Sequence, residues 1–271
     1  LRSVSPYSGG LMGTLRLGFR CNQQCGFCWQ SRDWAAPPDA LFAIWIDEMA
    51  TAGVTSLTIS GGEPTLNAGL PELVALAAGH GMTVDLQTNA IQLGKRDLAT
   101  RLKEAGLSSV FVSLHSADAN VSDDLTRAPG THKLTLVGIQ AALGAGLHVH
   151  LNCVVQQANV VGLPDHAALV ISQFAGLASP GQLQVSYTHP ADAHDHTVYE
   201  ASLVPLDEVA GPLAAAYRAL TDAGVACLAS GTCGFPPCVL RDTPDAIYAL
   251  GPQDVADEDS RGRCYPAECD G

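Results

Sequence analysis

Apolar runs separated by longer helix-like segments fill most of the first 190 residues. The runs are nearly continuous, not alternating, at residues 15–19, 56–60, 83–88, 109–114, 148–155 and 183–188. A strand of a parallel sheet that is covered on both faces has this kind of run. The pattern therefore predicts six parallel strands.

The segments between these runs have helical patterns rich in Ala and Leu. They predict helices at residues 39–52, 70–79, 97–105, 132–145, 165–175 and 206–223. Asp39 is the expected cap of the first helix, and glycines such as Gly53 and Gly146 follow helices, as expected of a left-handed C-terminal position. Repeated strand-helix alternation predicts an α/β fold, in the form of a partial (β/α)6 TIM-like barrel. Ligands bind such folds at the carboxyl ends of the strands.

The alternation ends near residue 190. A polar stretch follows, then one more helical pattern, then Gly, Pro and Cys with little periodicity. We expect a barrel core at residues 1–190 and a small irregular cysteine-rich extension at 191–271. The extension is too short to bury a core alone.

The charge and cysteine content exclude several classes of protein. A net charge of −13 argues against nucleic-acid binding, which needs a basic face. No signal peptide or membrane-spanning segment is visible, so we expect a cytoplasmic protein without membrane partners. Nine clustered cysteines in such a chain indicate metal binding rather than a disulfide framework.

The first cysteine group follows the first predicted strand. Cys21, Cys25 and Cys28 form a C-x3-C-x2-C pattern with an aromatic residue before the last cysteine. Three thiolates leave one iron of a four-iron cluster without a protein ligand, and open metal positions do chemistry. A structural zinc site is the alternative, but zinc prefers four ligands and the next cysteine, Cys153, is far along the chain.

The segment Gly61-Gly62-Glu63-Pro64 follows the second predicted strand. Two glycines let the backbone approach a ligand closely, and a glutamate offers a charge-assisted acceptor to an ammonium group. Taken alone, the segment is typical of an ordinary turn after a strand. Its position after the cysteine triplet favours a ligand site.

Together these segments resemble the radical S-adenosylmethionine (radical SAM) superfamily. The resemblance implies that Cys21, Cys25 and Cys28 hold a [4Fe–4S] cluster and that SAM chelates its fourth iron. It also implies reductive cleavage of SAM to a 5′-deoxyadenosyl radical, abstraction of a substrate hydrogen atom, and an electron donor such as flavodoxin or ferredoxin. The fold implied is the same partial barrel.

The resemblance also assigns residues to SAM binding. The Gly61–Glu63 segment is implied at the amino group, Ser113 and Arg127 at the carboxylate, Phe27 near the adenine and Asn152 near the ribose. Gln87 and Asn89 belong to a strand-end run similar to a family motif. For Ser113 and Arg127, a capping serine and a surface arginine are the alternative.

A second cysteine group lies in the tail. Its members are Cys233, Cys238, Cys264 and Cys269, in two C-x4-C pairs. Four thiolates are enough for an iron–sulfur cluster or a zinc site. The group resembles the auxiliary-cluster extensions of radical SAM enzymes called SPASM and twitch, and the single set of ligands favours the shorter twitch type. Cys227 and Cys153 are expected to pack as small apolar residues.

The catalytic residues and the substrate are not fixed by the sequence. His115, Tyr187 and His189 are pocket candidates, because each lies near a predicted strand end and is expected at the barrel mouth. By analogy, a ribosomally made peptide is the preferred substrate. Only 20 residues precede Cys21, so we expect a leader-binding domain to be a separate protein or to be missing from this sequence. A sugar-like small molecule is the second hypothesis, and a non-enzymatic zinc-stabilised binding protein is the third.

Overall fold

The computed structural model describes residues 10–31, 34–190, 196–228 and 235–240. In this part of the chain, seven parallel strands form one sheet in chain order. The strands are β1 (Leu11–Arg16), β2 (Val54–Ser60), β3 (Thr83–Thr88), β4 (Leu107–Ser113), β5 (His148–Val154), β6 (Leu183–Thr188) and β7 (Ala226–Leu228). Within the described residues β1 and β7 are its two edges, so the sheet is an open, partial TIM-like barrel.

Helices connect the strands, as parallel pairing requires. They are α1 (Ala40–Thr51), α2 (Leu70–Gly79), α3 (Leu98–Glu104), α4 (Ala119–Thr126), α5 (His132–Gly144), α6 (Leu163–Gln173), α7 (His196–Ser202) and α8 (Leu206–Asp222). Each crossover returns the chain to the same end of the sheet, so the carboxyl ends of all strands lie on one edge.

The hydrophobic core lies between the helices and one face of the sheet. Leu57, Val84, Val110 and Leu151 are fully or almost fully buried on that face, and they join one continuous cluster with apolar helix residues such as Leu213. Alternate strand residues point to the other face, which is lined by polar side chains. We call this second face the inner face.

The predicted fold class and the six predicted strands are confirmed. The first strand lies at Leu11–Arg16, earlier than the predicted 15–19, because residues 17–20 already belong to the loop that carries the cysteines. Two short helices, α4 and α7, were missed. Asp39 occupies the capping position of α1, but its side chain makes no capping hydrogen bond, which corrects that prediction.

The sheet continues beyond residue 190, at which the sequence analysis placed the end of the core. The strand β7 pairs with β6, and α8 packs against α6 and contributes buried residues to the same core. The prediction missed β7 because a three-residue strand is too short for a recognisable apolar run.

One described segment, Val160–Leu177, is apolar and long enough to cross a membrane by length and composition alone. It contains α6, whose His166 is buried and donates or accepts hydrogen bonds with Tyr187 and the Leu114 carbonyl. These contacts fit a helix packed on the sheet.

Candidate active site

The cysteine loop, residues 17–31, follows β1 at the carboxyl edge of the sheet. Cys21 and Cys25 are half-buried, Cys28 is exposed, and none of the three is in a disulfide bond within the described residues. The backbone N–H of Gln24 donates to the Thr126 carbonyl at 2.7 Å, and that of Gly26 donates to the Leu125 carbonyl at 3.3 Å. The loop is therefore docked on the C-terminal turn of α4.

Gly61 and Gly62 let the segment that follows β2 pack directly against the cysteine loop. Gly61 has a φ of 138°, and a Cβ there would lie 2.6 Å from the Gly18 carbonyl oxygen. A Cβ on Gly62 would lie 2.3 Å from the Arg20 carbonyl oxygen. The Gly62 and Glu63 N–H groups donate to those same carbonyls, each at 2.9 Å. Here the glycines bring the protein's own backbone segments together.

Glu63 has a buried side chain at the end of this segment. Its Oε1 accepts hydrogen bonds from the Thr65 N–H at 3.1 Å, from the Thr65 hydroxyl and from the Thr88 hydroxyl at 2.7 Å. Its Oε2 accepts from the Asn89 N–H at 2.8 Å. All the partners are donors, so Oε2 retains capacity for one further donor such as an ammonium group.

Burial and hydrogen bonding act in opposite directions on this carboxyl group. Burial raises the pKa of Glu63 above its ordinary value, while the hydrogen bonds from Asn89, Thr65 and Thr88 lower it. A set made only of donors favours the ionised form, because a protonated carboxyl would need an acceptor for its own O–H.

Asn89 connects Glu63 with the cysteine loop. Its Nδ2 donates to Oδ1 of Asn22 at 2.7 Å, while its N–H donates to Glu63. Asn22 therefore ties the cysteine loop to the end of β3. The sequence analysis identified Asn89 but missed Asn22 and Thr88, although both lie inside motifs that it had singled out.

Arg127 lies beside the cysteine loop and is exposed. It ends α4 in a left-handed conformation with a φ of 47°. A Cβ on Gly26 would lie 3.1 Å from its guanidinium Nη2, so the guanidinium packs against the loop. Asp123, which the sequence analysis missed, accepts from the N–H groups of Gly130 and His132 and fixes the segment after Arg127.

Three more predicted residues lie on the inner face near the carboxyl edge. Ser113 pairs in register with Asn152 of β5, which pairs with Ser186 of β6. Gln87 is exposed, and its Oε1 accepts from the Ser60 hydroxyl at 2.7 Å. The structure thus places Gln87, Ser113 and Asn152 on one polar face, directly below the loops that carry Cys21 and Glu63.

Phe27 contacts His115, with ring centroids 4.9 Å apart and the rings nearly perpendicular. His115 is buried, and its Nδ1 accepts from the Val154 N–H at 3.2 Å. Burial, with a smaller contribution from His166, lowers the pKa of His115 to about 3. His115 is therefore neutral near pH 7, and its proton lies on Nε2.

One of the three pocket candidates lies elsewhere than expected. Tyr187 is fully buried in the core, and its hydroxyl lies 3.1 Å from Nδ1 of His166, so the expectation that it lines the barrel mouth is wrong. Tyr187 alternates with Ser186, which faces the inner side. His189 is half-buried, and its ring lies 5.9 Å from that of Phe235.

The cysteines of the tail are not placed by the structure. Cys233, Cys264 and Cys269, and the side chain of Cys238, lie outside the described residues. Cys153 and Cys227 are buried in the core, as predicted, and burial raises the pKa of both thiols. Burial disfavours the thiolate, so neither thiol is activated as a nucleophile near neutral pH.

Comparison with known proteins identifies the family. The model of the radical SAM superfamily matches residues 15–165, more than half of the chain, so the protein belongs to the radical SAM superfamily. The predicted enzyme class is confirmed, and the alternative of a non-enzymatic zinc protein is wrong. The SPASM or twitch extension stays a prediction.

Curated relatives include enzymes with different substrates. The GTP 3′,8-cyclase of Mycolicibacterium smegmatis is 32% identical over 226 residues, which cover 76% of this chain and 60% of the relative. The PqqA peptide cyclase of Rhodopseudomonas palustris is 31% identical over 162 residues, which cover 58% of this chain and 43% of the relative. The chain spans less than two thirds of the length of either relative.

Solved structures share the fold. SuiB of Streptococcus suis bound to S-adenosylmethionine has a TM-score of 0.66 at 18% identity, covering 83% of this chain and 51% of that one. The structure called native anSMEcpe, with bound AdoMet and the Kp18Cys peptide, has a TM-score of 0.60 at 18% identity and covers 80% of this chain and 64% of that one. At these identities the likeness shows the fold alone.

The residues present fit the cofactors that this family uses, a [4Fe–4S] cluster and SAM. Three thiols that are half-buried or exposed share one loop, and thiolates are the usual ligands of iron–sulfur clusters. Within the described residues, no three His, Cys, Asp or Glu side chains already stand as a metal site, so binding a cluster would require the thiols to turn toward one another. Glu63 retains acceptor capacity for an ammonium group.

Proposed function

We propose that this enzyme cleaves S-adenosylmethionine reductively at a [4Fe–4S] cluster held by Cys21, Cys25 and Cys28 and modifies a ribosomally made peptide. The bound cofactors supply a 5′-deoxyadenosyl radical, which takes a hydrogen atom from the substrate. The observation that carries the proposal is the connection of the cysteine loop to Glu63 through Asn22 and Asn89. We expect the protein to act in the cytoplasm with flavodoxin or ferredoxin as its electron donor.

The protein side chains would hold the methionyl end of SAM by charge. Glu63 would accept from the ammonium group through Oε2, and Arg127 and Ser113 would bind the carboxylate. Gly61 and Gly62 keep this segment close to the cysteine loop. Phe27 would lie beside the adenine, and Gln87, Asn89 and Asn152 would supply further polar contacts at the carboxyl edge of the sheet.

Substitution of Glu63 tests this binding mode. Glu63→Gln keeps the size but places an N–H₂ group among donors, so we expect SAM binding to weaken by about tenfold or more. Glu72→Gln on the exposed face of α2 is the matched control. Equilibrium dialysis of SAM against cluster-loaded protein measures both, and equal affinities would contradict the assignment of Glu63.

A cavity beside the carboxyl end of β5 supports the choice of a peptide substrate. It has a volume of about 360 Å³ and is lined by Ala158, Val198, Ala201, Gln156, Gln157 and Ser202. Gln156 is buried, and its Nε2 has no hydrogen-bond partner among the residues that the structure describes. An apolar side chain of a peptide would fill such a cavity.

Filling this cavity tests the substrate assignment. Ala201→Phe should lower peptide modification while 5′-deoxyadenosine formation continues, and Ala201→Ser should behave as the parent. Peptides encoded beside the gene are the first substrates to try, with deuterium transfer from labelled peptide to 5′-deoxyadenosine as the readout. Deuterium transfer unaffected by Ala201→Phe would contradict the cavity's role.

A sugar-like small molecule is the second candidate, and the polar inner face favours it. Three pairs of side chains are hydrogen-bonded to each other on this face: Ser60 with Gln87, Ser109 with Asp85, and His150 with Ser186. Such side chains suit the hydroxyl groups of a sugar. Deuterium transfer from a labelled sugar derivative, with none from peptides, would select this candidate.

We further propose that Cys233, Cys238, Cys264 and Cys269 bind a second iron–sulfur cluster that exchanges an electron with the substrate. Two cysteine pairs in a segment poor in apolar periodicity support it, since such a segment needs a metal to fold. The triple alanine variant of Cys21, Cys25 and Cys28 should then keep roughly half of the parent iron. Zinc instead of iron in that variant would contradict a redox role.

A further inference from the structure

The inner face carries a chain of hydrogen bonds that ends on Asn152. Gln184 and His150 stand in register on β6 and β5, and so do Ser186 and Asn152, one step closer to the carboxyl edge. The Nε2 of Gln184 lies 2.9 Å from Nδ1 of His150, and Nε2 of His150 lies 2.8 Å from the Ser186 hydroxyl. The Ser186 hydroxyl lies 2.8 Å from Oδ1 of Asn152.

The chemistry of these groups gives the chain of hydrogen bonds one direction, from Gln184 to Asn152. The amide nitrogen of Gln184 can only donate, so Nδ1 of His150 accepts. Because burial lowers the pKa of His150 to about 4, its ring is neutral near pH 7 and its single proton lies on Nε2. Nε2 therefore donates to Ser186, and Ser186 uses its own proton to donate to Oδ1 of Asn152.

A second donor fixes the same oxygen. The Thr188 hydroxyl donates to Oδ1 of Asn152 at 3.2 Å. With Oδ1 held by two hydroxyls of β6, the Nδ2 amide group is turned away from that strand. Asn152 as a whole is only 7% exposed. Its Nδ2 atom has no protein hydrogen-bond partner among the described residues, but that atom is not fully buried. Nδ2 is therefore open to a ligand.

We propose that Asn152 acts only as a hydrogen-bond donor to the bound ligand, and that Gln184, His150 and Ser186 are positioning residues that hold its amide in this orientation. The ligand must then present an atom that can only accept, such as the ribose ring oxygen or a carboxylate oxygen of SAM. Ser113 lies next to Asn152 on the same face and would contact the same molecule. The inference rests on the proposed function, in that SAM is taken as the ligand.

Substitution of Asn152 tests whether its amide donates a hydrogen bond to the ligand. Asn152→Asp keeps both bonds from Ser186 and Thr188 but replaces the donor group with an acceptor. We expect SAM binding to weaken about tenfold or more, because two acceptors then face each other. The probe is labelled SAM in equilibrium dialysis against cluster-loaded protein without reductant, at matched iron content. Parent-like affinity of Asn152→Asp would overturn the proposal.

Substitutions along the chain test the positioning. Ser186→Ala and His150→Leu each remove one donor, and we expect each to weaken SAM binding about threefold to tenfold. Ser186→Thr keeps the hydroxyl and His150→Gln keeps an N–H near the position of Nε2, so both should restore binding. His148→Asn, at the exposed amino end of the same strand, is the control and should bind as the parent.

The outcomes separate this inference from the proposed function. Parent-like binding by Ser186→Ala and His150→Leu would overturn the positioning role, and equal losses in the conservative variants would do the same. If the parent binds SAM but forms no 5′-deoxyadenosine with dithionite, the proposed function fails. The inference is still supported if the disruptive variants bind SAM more weakly than the parent and the conservative variants.

Discussion

Gly62 lies where no side chain fits without moving the backbone. A Cβ there would lie 2.3 Å from the Arg20 carbonyl oxygen, next to the start of the cysteine loop. A Cβ added to Gly79, at the end of α2, would have no atom within 4 Å among the described residues. The two glycines therefore make a matched pair.

We predict opposite effects of alanine at these positions. Gly62→Ala should lower the free energy of unfolding by about 1–3 kcal/mol and reduce iron retention, because the cysteine loop must shift. Gly79→Ala should stabilise the protein by up to ~1 kcal/mol, because alanine favours the helix. Anaerobic urea unfolding and iron assays measure both, and full iron retention by Gly62→Ala would contradict the account.

Single residues also mark the limits of prediction from the sequence. The sequence could identify Cys21, Glu63 and Asn89, because each belongs to a motif with its own chemistry. It could not show that Tyr187 faces the helices while Ser186 faces the inner side. Near-continuous apolar runs carry no alternation, so they do not reveal which strand residues face which side.

At the level of elements, the cysteine loop is held by two neighbours. The end of α4 accepts from its backbone, and Asn89 after β3 donates to Asn22. The α4 helix was missed because its sequence, Ala119–Thr126, is short and on average polar. The contacts of Asn22 join residues that are 67 positions apart, and no local pattern encodes such a distance.

Asn22→Ala tests the contribution of that link. It removes the acceptor for Asn89 Nδ2, so we expect a loss of about 1 kcal/mol in the free energy of unfolding and faster loss of iron on chelation. Gln24→Ala, an exposed position in the same loop, is the control. Chelator-induced decay of cluster absorbance gives the rates, and equal rates for the two variants would show that the link does not hold the loop.

At the level of the whole molecule, three histidines with lowered pKa values make stability depend on pH. Burial lowers the pKa of His115 to about 3 and those of His150 and His166 to about 4. The unfolded chain binds protons on these groups below pH 6.5, before the folded protein does. Their contribution to stability is therefore complete above pH 6.5 and is lost as the pH falls toward 4.

His166→Gln isolates one of these groups. Each histidine contributes a slope of at most about 1.4 kcal/mol per pH unit, so the variant should lose less stability than the parent between pH 6.5 and 4.5. Glu63 and Asp85, whose pKa values burial raises, act in the opposite direction but are common to both proteins. Anaerobic urea unfolding followed by tryptophan fluorescence gives the slopes, and identical slopes would contradict the role of His166.

The central claim is that Cys21, Cys25 and Cys28 hold the cluster at which SAM is cleaved. The most direct measurement is 5′-deoxyadenosine formed from SAM and dithionite by anaerobically reconstituted protein, with iron content determined in the same samples. We predict that the parent forms 5′-deoxyadenosine and methionine, whereas the triple alanine variant forms neither and loses iron. Unchanged iron content in the variant, or no cleavage by fully loaded parent protein, would contradict the account.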